Sequence, residues 1–322
     1  ITGTLITISS NSWMSMWLGL EMNLLSIIPL MSNMKNKMES EAAMKYFIIQ
    51  ATASTMFVLA TAITLSNNEI LITSKMSVIM DVAILTKMGA APFHFWFPEM
   101  MDGLSWMNAT IMLTWQKIAP MIIFMYTMKS MIMSTTIIIS SMIISGLMGI
   151  NQTSMRKIMA YSSINHIGWM ISAMMTNQTL WMIYFIIYSM MTMNMTMMFK
   201  LTNTSNISQM INSMNKTKLI KIMFSLNFLS LGGIPPFIGF YPKWITIYSM
   251  IQEKMFTLTF IMIMMTLMSL VFYMRITFNS MIITPQEIKP SKFYNSNNTM
   301  LITSNFIVLT MLSTTPLMIN FN

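Results

Sequence analysis

Two short stretches that match each other decide the fold: GAAPFHFWFPE at residues 89–99 and GIPPFIGFYPK at residues 233–243. In both, the opening Gly is followed by Pro at the fourth position, Phe at the fifth, Pro at the tenth and a charged residue at the eleventh. Gly and Pro end or kink a helix, yet each stretch lies inside an apolar run long enough to cross a bilayer. The pattern therefore predicts two broken membrane helices, 144 residues apart in the chain.

The composition of the whole chain agrees with a membrane protein. Of its 322 residues 55% are apolar and only 8% are charged, which is far below the charged share of soluble domains. We predict an all-α polytopic fold of about eleven transmembrane helices. The first helix, near residues 1–10, is too short to span a bilayer, which takes about 20 residues. The other predicted spans are 13–31, 44–65, 77–101, 105–127, 131–149, 155–175, 178–200, 219–251, 256–278 and 299–319.

The matched stretches also predict an internal repeat. The second copy lies in the fifth predicted span after that of the first, and an odd number of crossings inverts the second copy relative to the first. Inverted repeats with broken helices are typical of transporters that have a site near the middle of the membrane. We expect one transmembrane domain over residues 1–322, with repeat one at about 1–127, repeat two at about 131–278 and a C-terminal helix at about 299–319.

The basic residues predict the orientation of the spans. Twelve Lys and Arg residues lie in loops or near span ends on one side, whereas three, Lys75, Lys129 and Lys254, lie on the other. The positive-inside rule places the richer side in the matrix or cytoplasm, so the C-terminus is expected on the opposite side. This distribution also explains the net charge of +9 without a nucleic-acid partner.

Several classes of site are disfavoured by composition. The chain has no Cys and two His, so it offers no iron–sulfur ligation and too few ligands for a His-rich metal centre. It contains no Gly-rich phosphate-binding loop. Its 48 Met residues are spread over every apolar segment, as codon bias in an AT-rich mitochondrial genome would spread them. We expect neither a cofactor nor a metal in this chain.

Five ionisable side chains remain inside the predicted spans: Glu21, Asp81, Lys87, Lys117 and Lys243. A charge near the bilayer centre costs about 2.5–3.5 kcal/mol, so a chain that keeps several of them needs a reason. A lysine near a helix end can instead extend its ammonium to the interface. That alternative applies most to Lys243, and Asp81 is expected at the interface. Glu21, Lys87 and Lys117 are the strongest candidates for a function.

The chemistry of these groups suits proton transfer. Removal from water disfavours the charged form of Lys and of Glu alike, which lets both gain and lose protons near neutral pH. A Lys holds its proton while it faces a Glu and releases it more readily when the two separate. His94 and His166 are candidate relays because imidazole titrates in the same range. Packing with a satisfied hydrogen bond is an equally good interpretation of each His.

Six runs along the chain carry a family resemblance. They are WLGLEMNLLSIIPL (17–30), EAAMKYFIIQATAS (41–54), KMGAAPFHFWFPE (87–99), TWQKIAP (114–120), RKIMAYSSINHIGWM (156–170) and LGGIPPFIGFYPKW (231–244). Together they resemble the subunit 2 family of mitochondrial NADH:ubiquinone oxidoreductase (respiratory complex I). The resemblance extends in order from the first residues to the last span, and it implies an antiporter-like fold of two inverted five-helix repeats with eleven helices in animal members.

The resemblance implies a role for each candidate. Glu21 would be the partner of Lys87 in the first broken helix, Lys117 the central relay, and Lys243 the terminal lysine near the exit path. His94 and His166 fall within family motifs. Asp81 matches no position to which the family gives a role.

At the level of the whole protein, the resemblance implies a core subunit that moves protons across the mitochondrial inner membrane, coupled to electron transfer in partner subunits. NADH, FMN, iron–sulfur clusters and ubiquinone would be bound by those partners. The expected partners are other membrane-arm subunits, protons and water, and the lipid bilayer, with cardiolipin as a candidate lipid. The C-terminus would face the intermembrane space.

Two other functions fit parts of the sequence. A stand-alone cation/proton antiporter would share the fold, but it would bind Na⁺ or K⁺ through oxygen ligands, and the spans offer little anionic chemistry beyond Glu21 and Asp81. A structural scaffold of the membrane arm would hold neighbouring subunits together while protons pass elsewhere. Neutralising the three lysines would then leave activity intact.

Overall fold

A computed structural model describes residues 1–32, 36–66, 70–128, 130–214 and 218–282. Within these ranges the chain is almost entirely helical and contains no β-strand, which confirms the all-α prediction. A helix satisfies its own backbone hydrogen bonds, and in lipid no water is present to satisfy them otherwise. The predicted C-terminal helix at 299–319 and the C-terminus itself lie outside the described residues, as do Lys35, Glu69, Lys129, Lys216, Glu287, Lys289 and Lys292.

The chain forms two compact units, Ile1–Ser141 and Met142–Asn322. In the first unit α3 packs against α2, α4 and α5, and α7 packs against α1, α2 and α4. Its helices among the described residues are α1 (Thr2–Ser9), α2 (Trp13–Met31), α3 (Lys37–Ser66), α4 (Ile70–Met88), α5 (Trp96–Gly103), α6 (Trp106–Leu113) and α7 (Trp115–Thr127).

Helix α8 (Met131–Ile150) crosses the boundary between the units. In the second unit α9 packs against α10 and α13, and α12 packs against α14. The described helices of this unit are α9 (Met155–Thr176), α10 (Gln178–Thr202), α11 (Ile207–Met214), α12 (Lys218–Gly232), α13 (Phe240–Gln252) and α14 (Phe256–Ile282).

Both predicted helix breaks are present. The first break, residues 89–95, separates α4 from α5, and the second break, residues 233–239, separates α12 from α13. Each begins at a glycine in the left-handed region, Gly89 at φ 71° and Gly233 at φ 79°, a conformation that only glycine adopts without cost. Each also contains a cis peptide bond before a proline, Ala91–Pro92 and Pro235–Pro236.

The first helix of each pair ends in the same hydrogen-bond pattern. At the first break the amide of Ala90 donates to the carbonyl of Leu85, and that of Gly89 donates to Thr86. At the second break Ile234 donates to Leu229 and Gly233 donates to Ser230. This is the Schellman motif, which satisfies two of the carbonyls freed at a helix end. The carbonyls of the last two helical residues are left for other donors.

Five described helices are long and apolar enough to cross a membrane without interruption: Trp13–Met31, Lys37–Ser66, Met131–Ile150, Gln178–Thr202 and Phe256–Met281. Three predicted spans differ clearly from the structure. The span expected to begin at 44 begins at Lys37, and the span expected to begin at 77 begins at Ile70. The span expected to run unbroken over 105–127 is interrupted at Thr114. The backbone of Thr114 has φ −115° and ψ −75°, outside regular helical geometry.

Candidate functional site

Glu21 and Lys87 lie close to each other beside the first break. Glu21 lies in α2, and Lys87 is the second-last residue of α4. The Nζ atom of Lys87 lies 3.9 Å from Oε1 of Glu21, and the two side chains are 3% and 23% exposed. The distance is that of an ion pair without a direct hydrogen bond. A small movement of α2 or α4 therefore changes the interaction.

Two side chains donate to carbonyls at the end of α4. The amide nitrogen of Gln50, on α3, donates to the carbonyl of Lys87 at 3.2 Å. The indole nitrogen of Trp96, at the start of α5, donates to the carbonyl of Thr86 at 3.2 Å. Buried carbonyls are expensive to leave without a donor, so these two bonds fix the end of α4 and with it the backbone of Lys87.

A cavity joins Lys87 to Lys117. Its volume, counted as space open to the centre of a water molecule, is about 20 Å³, enough for one ordered water, which needs about 10–15 Å³ on that measure. Hydrophobic side chains of α2, α4, α5 and α6 close part of its wall. Its polar lining consists of Asn23, Tyr46, Gln50, Lys87, Gln116 and Lys117.

Lys117 lies where the helix is least regular. It follows the interruption at Thr114, and its amide donates to the carbonyl of Thr114 at 3.2 Å. Pro120, three residues later, has no N–H to give to the carbonyl of Gln116, which is therefore left outside the helical ladder. The Lys117 side chain is buried, and its Nζ atom lies 5.6 Å from the centre of the Phe97 ring. Lys117 thus lines the cavity at an irregular stretch of helix.

His94 lies inside the first break. It is 2% exposed, its Nδ1 atom lies 3.2 Å from the carbonyl of Pro92, and its ring packs against Phe95. It does not line the cavity that joins Lys87 to Lys117. These contacts fit a buried packing histidine as well as a relay, so both interpretations stay predictions.

Lys243 is the ionisable group at the second break. It is 6% exposed and lies in the first turn of α13. Its Nζ atom donates to the carbonyl of Gly232 at 2.8 Å and lies 3.5 Å from that of Leu231. Protein therefore encloses this side chain, whereas a lysine that snorkels reaches toward the aqueous interface.

His166 also belongs to the second unit. It is buried in α9, where its Nδ1 atom lies 2.9 Å from the hydroxyl of Tyr184. Its ring packs against that of Tyr188, with centroids 5.0 Å apart. A tyrosine hydroxyl can both donate and accept a hydrogen bond. The geometry of the pair therefore fits a proton relay and an ordinary buried hydrogen bond equally well, and both interpretations stay predictions.

Asp81, which was expected at the membrane interface, is buried against protein. The residue is 3% exposed and is the twelfth residue of α4, which begins at Ile70. The predicted start at 77 had placed it near the end of the helix. Its helical neighbours Ile84 and Leu85 are buried as well, so this face of α4 packs against protein.

Sequence reasoning missed the uncharged polar residues around the lysines. Asn23 follows Glu21 by two positions, Gln116 immediately precedes Lys117, and Tyr46 and Gln50 lie one turn apart on α3. The available signal was an uncharged polar side chain inside an apolar run. No group of three or more His, Asp or Glu side chains able to hold a metal occurs within the part of the chain that the structure describes.

Comparisons with known proteins agree on one family. The family model of NADH:quinone oxidoreductase/Mrp antiporter transmembrane proteins matches residues 10–269. NADH-ubiquinone oxidoreductase chain 2 of Anopheles gambiae is 44% identical over 315 residues, covering 95% of this chain and 92% of the relative. The chain 2 protein of Equus asinus is 40% identical over 285 residues, covering 86% and 82%.

Solved structures share the fold at low identity. A chain of respiratory complex I from Thermus thermophilus with bound aureothin superposes with a TM-score of 0.87 at 20% identity, over 98% of this chain and 76% of that chain. A chain of the Mrp complex from Dietzia sp. superposes with a TM-score of 0.79 at 13% identity, over 98% and 74%. With an antiporter-like fold and relatives above 40% identity along nearly its whole length, this chain belongs to the NADH-ubiquinone oxidoreductase chain 2 family.

Proposed function

We propose that this chain is a proton-translocating membrane subunit of NADH:ubiquinone oxidoreductase in the mitochondrial inner membrane. The observation that supports the proposal most directly is the Glu21–Lys87 ion pair beside a helix break, with Lys87 and Lys117 on the wall of one water-sized cavity. Its partners would be the other membrane-arm subunits and the surrounding lipid, with the C-terminus on the intermembrane-space side. The family membership of the chain supports this placement.

The chemistry proceeds through the side chains of the first unit. While the carboxylate of Glu21 faces Lys87, the ammonium of Lys87 is favoured, because an opposite charge nearby stabilises the charged form. When the two separate, Lys87 gives one proton to a water in the cavity, and that water passes one proton to the neutral amine of Lys117. Lys87 becomes neutral and Lys117 becomes an ammonium, so charge moves across the cavity without any redox step in this chain.

The driving force would come from electron transfer in partner subunits. Those subunits would hold the NADH, FMN, iron–sulfur clusters and ubiquinone, and this chain would convert their conformational or electrostatic change into movement of α2 relative to α4. Lys243 would serve as the proton-carrying group of the second unit. His94, beside the carbonyl of Pro92, and His166, beside the hydroxyl of Tyr184, would act as proton relays.

The test uses Lys87→Met and Glu21→Gln in the assembled complex. Both variants should lower NADH:ubiquinone turnover and the number of protons moved per electron. NADH oxidation by a water-soluble artificial acceptor should be retained, because it requires only the partner subunits. Glu41→Gln is the matched control, since Glu41 forms an exposed ion pair with Lys45 at 2.9 Å. Unchanged proton-to-electron ratios in both variants would overturn the proposed roles and favour a scaffold.

A further inference from the structure

The ammonium of Lys243 occupies a defined place at the end of α12. It donates to the carbonyl of Gly232 at 2.8 Å and lies 3.5 Å from the carbonyl of Leu231. These are the two carbonyls that the Schellman motif leaves without backbone donors, because that motif uses only Leu229 and Ser230. The carbonyl pair, meaning the backbone oxygens of Leu231 and Gly232, therefore forms one side of a small polar site.

Glycine at position 233 makes room for this arrangement. A Cβ atom added there would lie 2.8 Å from Cδ and 2.9 Å from Nζ of Lys243, closer than van der Waals contact permits. A Cβ atom added to Gly89, at the matching place in the first break, would meet Phe97 first, at 3.2 Å. The lysine side chain thus lies directly across the backbone of the second break.

We propose that the second break is a binding site for a small monovalent cation of the ammonium type, which Lys243 fills with its own side chain. Carbonyl oxygens at the C-terminal end of a helix carry partial negative charge and attract cations, and broken membrane helices use such ends to hold ions. Among the described residues no carboxylate lies within 4.0 Å of this ammonium, so the carbonyl pair carries the recognition.

The inference rests on the proposed function, because it assigns the place where Lys243 holds its proton. The carbonyl pair stabilises the ammonium and binds the neutral amine less well, since hydrogen bonds from a charged donor are about twice as strong. Transfer of the proton therefore requires the side chain to leave the carbonyl pair. The break holds the charge between transfers, and no carboxylate partner is needed.

The principal experiment is chemical rescue of Lys243→Ala in the assembled complex. The substitution should lower coupled turnover about tenfold, which corresponds to about 1.4 kcal/mol. Added ammonium should restore part of it, saturating with concentration, whereas tetramethylammonium, which is too large and has no N–H, should not. Pumping is read as membrane potential, because ammonia collapses a pH gradient. Ammonium without effect on the variant, or equal rescue by both cations, overturns the inference and leaves the proposed function standing.

The same experiment separates the two proposals. Normal pumping by Lys243→Ala without any added cation contradicts the role of Lys243 in the proposed function. A second pair of variants applies if Lys243→Ala does not assemble. Gly233→Ala and Gly89→Ala both place a Cβ atom at a positive φ, but the first displaces Lys243 and the second meets Phe97 first. The loss of coupled turnover should be about tenfold larger in Gly233→Ala than in Gly89→Ala, because a small misplacement of a functional group can cost up to about a hundredfold in rate. Equal losses in the two variants would contradict the cation site.

Discussion

The two helix breaks share a backbone and differ in how they use charge. Both end their first helix with a Schellman motif at a glycine of positive φ. In the first break the lysine, Lys87, lies before the glycine and faces a carboxylate. In the second the lysine, Lys243, lies after it and faces backbone carbonyls. The same backbone geometry thus accommodates a lysine in two ways: beside a carboxylate in the first break, and beside helix-end carbonyls in the second.

The positions that match across the repeat make the difference clearer. Residue 99 is the counterpart of Lys243 by the spacing of the motif, and it is Glu99, whose Oε2 atom pairs with Lys45 at 3.1 Å on an exposed surface. Leu231 is the counterpart of Lys87, and it supplies only its carbonyl to the second break. The lysine precedes the break in the first half and follows it in the second. The helix break is therefore common to both halves, whereas the position of the lysine in the sequence is not.

The largest effect is expected at Gly239, where the second break is most tightly packed. A Cβ atom added there would overlap the backbone carbonyl of Ser230, and backbone cannot move aside as a side chain can. Its φ of −63° is ordinary, so any effect of Gly239→Ala is steric. We expect loss of the assembled complex on native gels. Phe95, the counterpart in the first break, is 69% exposed, and Phe95→Ala should assemble; equal assembly of both variants would contradict this packing.

The next effect tests whether Lys87 depends on its counterion. In a double-mutant cycle, Glu21→Gln and Lys87→Met should show a coupling of about 1–2 kcal/mol in coupled turnover, within the range of interacting neighbours. We expect no larger coupling energy because Glu21 is partly exposed, which weakens its interaction with Lys87. Combining Glu21→Gln with Lys243→Met should instead give additive losses. Additivity in the first pair would show that the carboxylate does not act through Lys87.

A smaller effect is expected from the hydrogen bond at the first break. Gln50→Leu leaves the carbonyl of Lys87 without its side-chain donor, at a cost of about 1 kcal/mol for a bond of this kind in a membrane protein. The melting temperature of the complex and its coupled turnover should both fall slightly. Gln152→Leu is the matched control, since the amide of Gln152 donates to the carbonyl of Met148 at an exposed site. Equal effects of the two substitutions would count against a positioning role for Gln50.

The smallest effect is expected at Glu99, despite its place in the repeat. Exposed ion pairs contribute little, so Glu99→Gln should change coupled turnover by less than about twofold. The measurement is NADH:ubiquinone turnover of the assembled complex beside that of Lys243→Met. A loss as large as that of Lys243→Met would mean that matching sequence positions, and not burial, determine the function.

Much of the fold was accessible from the sequence because its determinants are local. Gly89, Pro92, Gly233 and Pro236 encode the breaks through backbone conformation, and the apolar runs encode the spans. The start of α4 was misjudged because residues 70–76 include Thr73, Ser74 and Lys75, which look like a loop. The repeat boundaries at about 127 and 131 and the helix at 299–319 remain predictions.

Of the candidate site, only the charged residues could be predicted from the sequence. Lys87, Lys117 and Glu21 stand out because burying a charge is costly. Gln50 and Asn23 do not stand out, since an uncharged polar residue in a span is common and its partner depends on how helices pack. The partners of Lys243 are backbone carbonyls, which every residue has, so no side-chain pattern encodes them.

The most direct test of the central claim is the number of protons moved per electron in Lys117→Met. Lys117 lines the cavity with Lys87 but takes no part in the Glu21–Lys87 ion pair, so its loss removes the acceptor across the cavity and leaves the donor pair in place. The proposed transfer predicts a lower proton-to-electron ratio in a complex that assembles normally and still oxidises NADH with an artificial acceptor. A ratio equal to that of the unmodified complex, at normal assembly, would contradict transfer through this cavity.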